Sequence, residues 1–142
     1  MLSALAFTSN RVEFFIQGGH VHYGSCQLKV GPISQLTFSS FGQPLDQPGC
    51  LVAASNQLFV IRSEDFTPLP LLTLPHAIAR FALFETKNML IVACENNFVA
   101  AVSPTFELTE VLNQGDDLAE VALDGPSETI LLFHRDNTVT QL

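Results

Sequence analysis

The residues in this chain whose types and spacing could do chemistry are few. His20-x-His22 puts two imidazoles on one face of an extended strand, a spacing used in metal sites that add a third His or carboxylate. Glu13 or His76 are the available third ligands, but nothing in the sequence brings them near, and two polar strand residues facing solvent is the ordinary explanation. Asp116-Asp117 with Glu120 form a local acidic cluster that could attract a basic partner peptide. The cluster lacks the alternating oxygen ligands and fixed glycine of a calcium loop, so a solvated turn is its plain alternative. His134 and Asp136 sit two apart and share a strand face, with no nucleophile to join them. The sequence holds no Gly-x-Ser-x-Gly, no phosphate-cradling Gly-x-x-x-x-Gly-Lys and no Gly-x-Gly-x-x-Gly. The expectation is a protein that is not an enzyme and needs no cofactor or metal, with Asp116, Asp117 and Glu120 as its partner-binding residues.

Charge narrows the partners. Fourteen Asp and Glu against six Lys and Arg give a formal charge of −8, and the six cations Arg11, Lys29, Arg62, Arg80, Lys87 and Arg135 are scattered. Affinity for phosphate backbones comes from clustered Lys and Arg, so direct nucleic-acid binding is not expected, while basic protein surfaces are favoured. Apolar residues make up 47% of the chain, too many for disorder. Cys26, Cys50 and Cys94 form no C-x-x-C pair, and Cys50 and Cys94 lie inside apolar runs, so all three read as buried reduced thiols of a cytoplasmic or nuclear protein. The start, Met-Leu-Ser-Ala-Leu-Ala-Phe, lacks a basic region and a long apolar stretch, and no run approaches a membrane span.

The elements that would carry these residues follow a repeat. Leu2-x-x-Leu5-x-Phe7, Ile33-x-x-Leu36-x-Phe38, Ile78-x-x-Phe81-x-Leu83 and Leu118-x-x-Val121-x-Leu123 share one apolar pattern, with starts 31, 45 and 40 residues apart. Each +3/+5 pair fits strand alternation, and the spacing matches four-stranded propeller blades. A second and a third apolar run follow, separated by a polar turn: Ser55-Asn56-Gln57, Glu95-Asn96-Asn97 and Asp136-Asn137. Asn suits a tight hairpin because it tolerates positive φ. In the first unit Gly18-Gly19 is the expected equivalent. Outer fourth strands are expected at Leu69 to Leu74 and Phe106 to Leu112, the first broken by Pro70, which belongs on a sheet edge.

On these residues, and above all on the turn Asp136-Asn137-Thr138-Val139, the chain resembles the WD-repeat β-propeller family. It departs from the family in having no Trp. Leu5-Ala6, Gly18-Gly19 and Thr37-Phe38-Ser39 are similar to the non-catalytic WD subunits of tRNA guanine-N7 methyltransferases. The expected fold is all-β, a single β-propeller-like domain or segment of about three and a half blades, with units near 2–30, 33–74, 78–112 and 118–142. Closed propellers have about four to eight blades, so the ring is expected to belong to a larger propeller or to be completed by a partner or by self-association. The rival architecture is a single sandwich or irregular barrel of roughly 12 to 14 strands.

Three functions compete at this stage. The first is a non-enzymatic protein-protein interaction scaffold within a larger intracellular complex, since blades present rigid loops and edges. The alternative is a non-catalytic WD-repeat subunit of a tRNA-modifying methyltransferase complex. The third is a propeller hydrolase with a metal held by His20 and His22.

Overall fold

The long apolar runs fold into antiparallel strands joined by the short polar turns between them. The computed structural model describes residues 2–17, 21–42, 49–62, 66–115 and 117–142. Among the described residues it has fourteen strands: β1 (Leu2–Phe7), β2 (Arg11–Gln17), β3 (Val21–Gln27), β4 (Ile33–Ser39), β5 (Gly49–Ala54), β6 (Gln57–Ile61), β7 (Pro68–Thr73), β8 (Ile78–Phe84), β9 (Met89–Cys94), β10 (Val99–Val102), β11 (Leu108–Asn113), β12 (Leu118–Asp124), β13 (Thr129–His134) and β14 (Val139–Gln141). They form four meandering sheets in the orders β1-β2-β3, β4-β5-β6-β7, β8-β9-β10-β11 and β12-β13-β14. Fourteen strands are three and a half four-stranded blades.

The chain divides into two compact units, Met1–Pro75 and His76–Leu142. In the first, Val12, Phe14, Cys26 and Leu28 of the first sheet pack against Ile33, Cys50, Val52, Ala54, Phe59 and Ile61 of the second. Phe66 stacks on Phe14 with ring centroids 5.4 Å apart. It lies over Gly24, where a Cβ would stand 2.5 Å from its ring. In the second unit, Phe84, Ile91, Ala93, Val99 and Ala101 pack against Leu118, Val121, Ile130 and Leu132.

Middle strands are covered on both faces. β5 is buried at every position, as is β10. That is why they read in sequence as unbroken apolar runs rather than as alternation. Small residues such as Ala53, Ala100 and Ala101 fill them because neighbours press from both sides. β7 carries Pro68 and Pro70 on the outer edge, where a missing N–H leaves no neighbour unpaired. β7 and β11 begin one residue earlier and two residues later, respectively, than their sequence patterns suggest.

One expectation about phase is corrected. The first sheet does not begin with a blade's first strand: β1, β2 and β3 occupy the second, third and fourth places. Asn10, just ahead of β2, accepts a hydrogen bond from Leu28 N (2.7 Å) and donates through Nδ2 to Leu28 O (3.3 Å). Asn56, just ahead of β6, repeats both bonds with Leu74, at 2.7 and 3.0 Å. Both pairs are 18 residues apart. β3 also leads into the next sheet's first strand, as β7 and β11 do. Asn10, not Gly18-Gly19, is therefore the first unit's turn asparagine; Gly18 and Gly19 lie outside the described residues.

Candidate functional site

The residues singled out in the sequence come to rest in separate places. His20 and Asp116 lie outside the described residues, and His22 stands on β3. Glu13 is ion-paired with Arg11 at 2.8 Å, and His76 shares a 3.1 Å hydrogen bond between its Nδ1 and Asn96 Nδ2. Among the described residues, no three His, Cys, Asp or Glu side chains converge as a metal site would need. Asp117 is held by Arg135 at 2.6 Å, and Glu120 faces Arg80 at 3.7 Å. All four of these partners are largely exposed, so the pairs are weak and open to exchange.

The three cysteines are buried and unpaired. Burial pushes the Cys50 and Cys94 thiols up to about 12, and raises Cys26 as well. A thiol held protonated is a poor nucleophile.

The β13–β14 turn joins the second and third strands of its sheet. Asp136 Oδ1 accepts hydrogen bonds from Thr138 N (3.0 Å) and Thr138 Oγ1 (2.6 Å), and Asn137 takes a left-handed φ of 71°. The Thr138 hydroxyl and amide hold the Asp136 carboxyl below its usual range. His134 Nε2 lies 2.7 Å from Thr140 Oγ1 across the hairpin. The side chains of Asp136, Thr138, His134 and Thr140 are thus spent on the hairpin itself.

The second unit also has an open cleft of about 670 Å³, which the sequence did not reveal. Phe81, Leu83 and Leu123 give it apolar walls, while Glu85, Asp124 and Glu128 are its charged residues. It lies where the first hairpin turns of the third and fourth sheets meet, at Glu85–Asn88 and Gly125–Glu128. These turns are fastened together: Glu128 Oε1 accepts from Thr86 N at 2.8 Å, and the Thr86 hydroxyl donates to Glu128 Oε2. The Thr86 hydroxyl is the main reason the Glu128 carboxyl sits below its usual range. Gly125 permits the close approach, since a Cβ there would be 3.0 Å from Leu83 O. Chemically, the cleft offers carboxylates beside apolar surface, with Lys87 of the rim turn acting on Glu128.

No family model matches the chain, and no curated protein matches it. Among solved structures, the crystal structure of BBS1N in complex with ARL6DN, soaked with mercury, matches with a TM-score of 0.61 and 16% sequence identity. The match covers 93% of this chain and 42% of that one. BBS1N is a β-propeller domain. The fold is that of a partial β-propeller. The chain thus spans less than half the length of its structural neighbour, and at this identity the likeness is one of fold alone.

Proposed function

We propose that the chain is a non-enzymatic protein-interaction module, a scaffold subunit of a larger intracellular complex, which takes a basic loop of a partner protein in the cleft of its second unit. The observation that carries this reading is the cleft's composition. Phe81, Leu83 and Leu123 can cover the methylene stem of a Lys or Arg while Glu85, Asp124 and Glu128 receive its charge. The Glu128–Thr86 bonds fix both rims, so little ordering is required on binding. Structural neighbour BBS1N is found with a protein partner, ARL6DN, which supports a partner-binding role for this fold. Asp116, Asp117 and Glu120 belong to the same reading as secondary contacts, and a basic partner reaching Asp117 or Glu120 would displace Arg135 or Arg80. A reduced cytoplasmic or nuclear setting suits the three unpaired thiols. Kinship with WD-repeat propellers, drawn from Asp136-Asn137-Thr138-Val139, belongs to this proposal too.

The test is to purify the full chain with whatever protein it retains, rebuild that complex from pure components, and measure affinity by calorimetry. The double variant Glu85→Lys with Asp124→Lys is expected to weaken binding by about tenfold or more, as loss of desolvated charge pairs does. Absence of any stable complex would end the reading, and so would a complex indifferent to the charge reversal. Methyl transfer to tRNA that depends on the rebuilt complex would instead select a non-catalytic subunit of an RNA-modifying enzyme.

A further inference from the structure

The two turns that rim the cleft are one turn built twice. In residues 85–88 the Asn88 N–H donates to Glu85 O, and in residues 125–128 the Glu128 N–H donates to Gly125 O, both at 3.1 Å. Each turn ends on a left-handed residue, Asn88 at a φ of 51° and Glu128 at 52°. Asn is at home in that conformation and Glu is not, so the glutamate sits there against a local cost. Its carboxylate supplies the reason. It crosses to the other turn, where it accepts from the amide and the hydroxyl of Thr86 and from the amide of Lys87.

Lys87 is thereby held at the rim from both ends. Its amide is bonded to Glu128, and its ammonium stands over the Phe84 ring, 5.7 Å from the centroid, where the negative face of the ring attracts it. Its charge also acts on the cleft. The Glu128 carboxyl, held below its usual range first by the Thr86 hydroxyl, is lowered further by the amide and the positive charge of Lys87. Glu85, Asp124 and Glu128 line the cleft and Lys87 stands against them, three negative charges and one positive, a net of −2. Asp124 Oδ2 takes a hydrogen bond from the Ser127 hydroxyl at 2.6 Å, and among the described residues neither Glu85 nor Asp124 is ion-paired.

We propose that Lys87 is the cleft's built-in competitor, a cation that offsets the charge of Glu128 in the free chain and sets how strongly a basic partner segment is held there. The proposal rests on the cleft reading given above and adds the residue that tunes that site. A partner Lys or Arg approaching Glu128 meets a like charge that two contacts hold beside it, and like charges brought together oppose association. Neutralising Lys87 removes that opposition and leaves Glu128 fastened to Thr86, so the rims keep their places.

A labelled peptide of lysines flanked by glycines is titrated with the full chain and followed by fluorescence anisotropy, the parent beside Lys87→Arg, Lys87→Met and Lys87→Glu. Lys87→Met keeps an apolar stem over Phe84 and removes the charge. Affinity is expected to match the parent for Lys87→Arg and to rise about twofold to fivefold for Lys87→Met, with a similar further step for Lys87→Glu. Each step should lie mainly in the association rate and shrink as salt rises. Lys29, exposed in the first unit and not among the cleft's residues, is the control: Lys29→Met removes the same charge and should leave affinity unchanged. Melting temperatures report whether each variant keeps the fold. Equal gains from Lys87→Met and Lys29→Met would overturn the proposal, as would unchanged binding by Lys87→Met and Lys87→Glu chains that melt like the parent. Glu85→Lys with Asp124→Lys separates this failure from that of the cleft. If that variant binds the peptide weakly while the Lys87 variants bind like the parent, Lys87 alone is overturned and the cleft stands. Peptide binding that ignores the Glu85 and Asp124 reversal, or that saturates with no chain, would overturn the cleft reading and the role of Lys87 with it.

Discussion

An asparagine placed just ahead of a strand can do what a further residue of ladder would do, and do it with its side chain. Asn56 satisfies both backbone groups of Leu74, one through its own carbonyl and one through Nδ2, at a point where β6 and β7 have run out. The left-handed φ at this turn is taken by Ser55, at 52°, rather than by the asparagine. Asn56 is therefore kept for its carboxamide. Asn56→Ala is expected to lower stability by about 1 kcal/mol, the typical net worth of one such bond, seen as an earlier urea midpoint at unchanged slope. No shift would mean that the tie forms without contributing. Glu128 allows a second test at this scale. Its carboxyl lies below its usual range in the folded chain, so its contribution is present above the unfolded value near about 4.3 and is lost as pH falls through the folded value. Melting temperature should therefore drop in acid more steeply for the parent than for Glu128→Gln, and parallel acid limbs would show that the Thr86 bonds do not couple the turns.

At the scale of elements, the middle strands set the tolerances. β10 is buried at every position, and Ala101 belongs to the same core as Ile91 and the fourth sheet's Ile130 and Leu132. Ala101→Leu adds three carbons where neighbours cannot withdraw, and should cost about 1–3 kcal/mol. The exposed Thr109→Leu on β11 should cost far less. Equal losses in thermal melts would contradict the burial that separates the two strands. These strands were legible in the sequence because each apolar run is bounded by turn residues and repeated at a near-constant interval. The identity of β1 was not, since the spacing of Leu2, Leu5 and Phe7 is that of the first strands of the other sheets. The tie between Asn10 and Leu28, which reveals its true place, joins residues that no short window connects. The cleft was equally hidden. Its rims at Thr86 and Glu128 are 42 residues apart, each reads as a plain turn, and only the placement of neighbouring sheets makes them one site. Asp117 and Glu120 were visible as an acidic cluster, but the guanidiniums of Arg135 and Arg80 that meet them come from a hairpin turn and another sheet.

For the molecule as a whole, the arrangement of cores fixes where backbone opening is hardest. One core centres on Cys50, Val52, Ala54, Phe59 and Ile61, and the other on Ile91, Ala93, Val99 and Ala101. Each is enclosed by a four-stranded sheet and a three-stranded one within its own unit. Amide exchange in a native protein follows the free energy of the opening that exposes each hydrogen bond, and openings begin at edges with few buried contacts. Two separate nuclei of slow exchange are therefore expected, β5 with β6 and β9 with β10. The outer strands β7 and β11 should exchange sooner, and β14 soonest of these, because all three of its residues are exposed and one side of its ladder is open. Hydrogen exchange followed by mass spectrometry of peptides over 49–61, 89–102 and 135–142 resolves all of this. Slow exchange across 135–142 in the isolated chain would mean that the β14 edge is already covered, by a second copy or by its own neighbours.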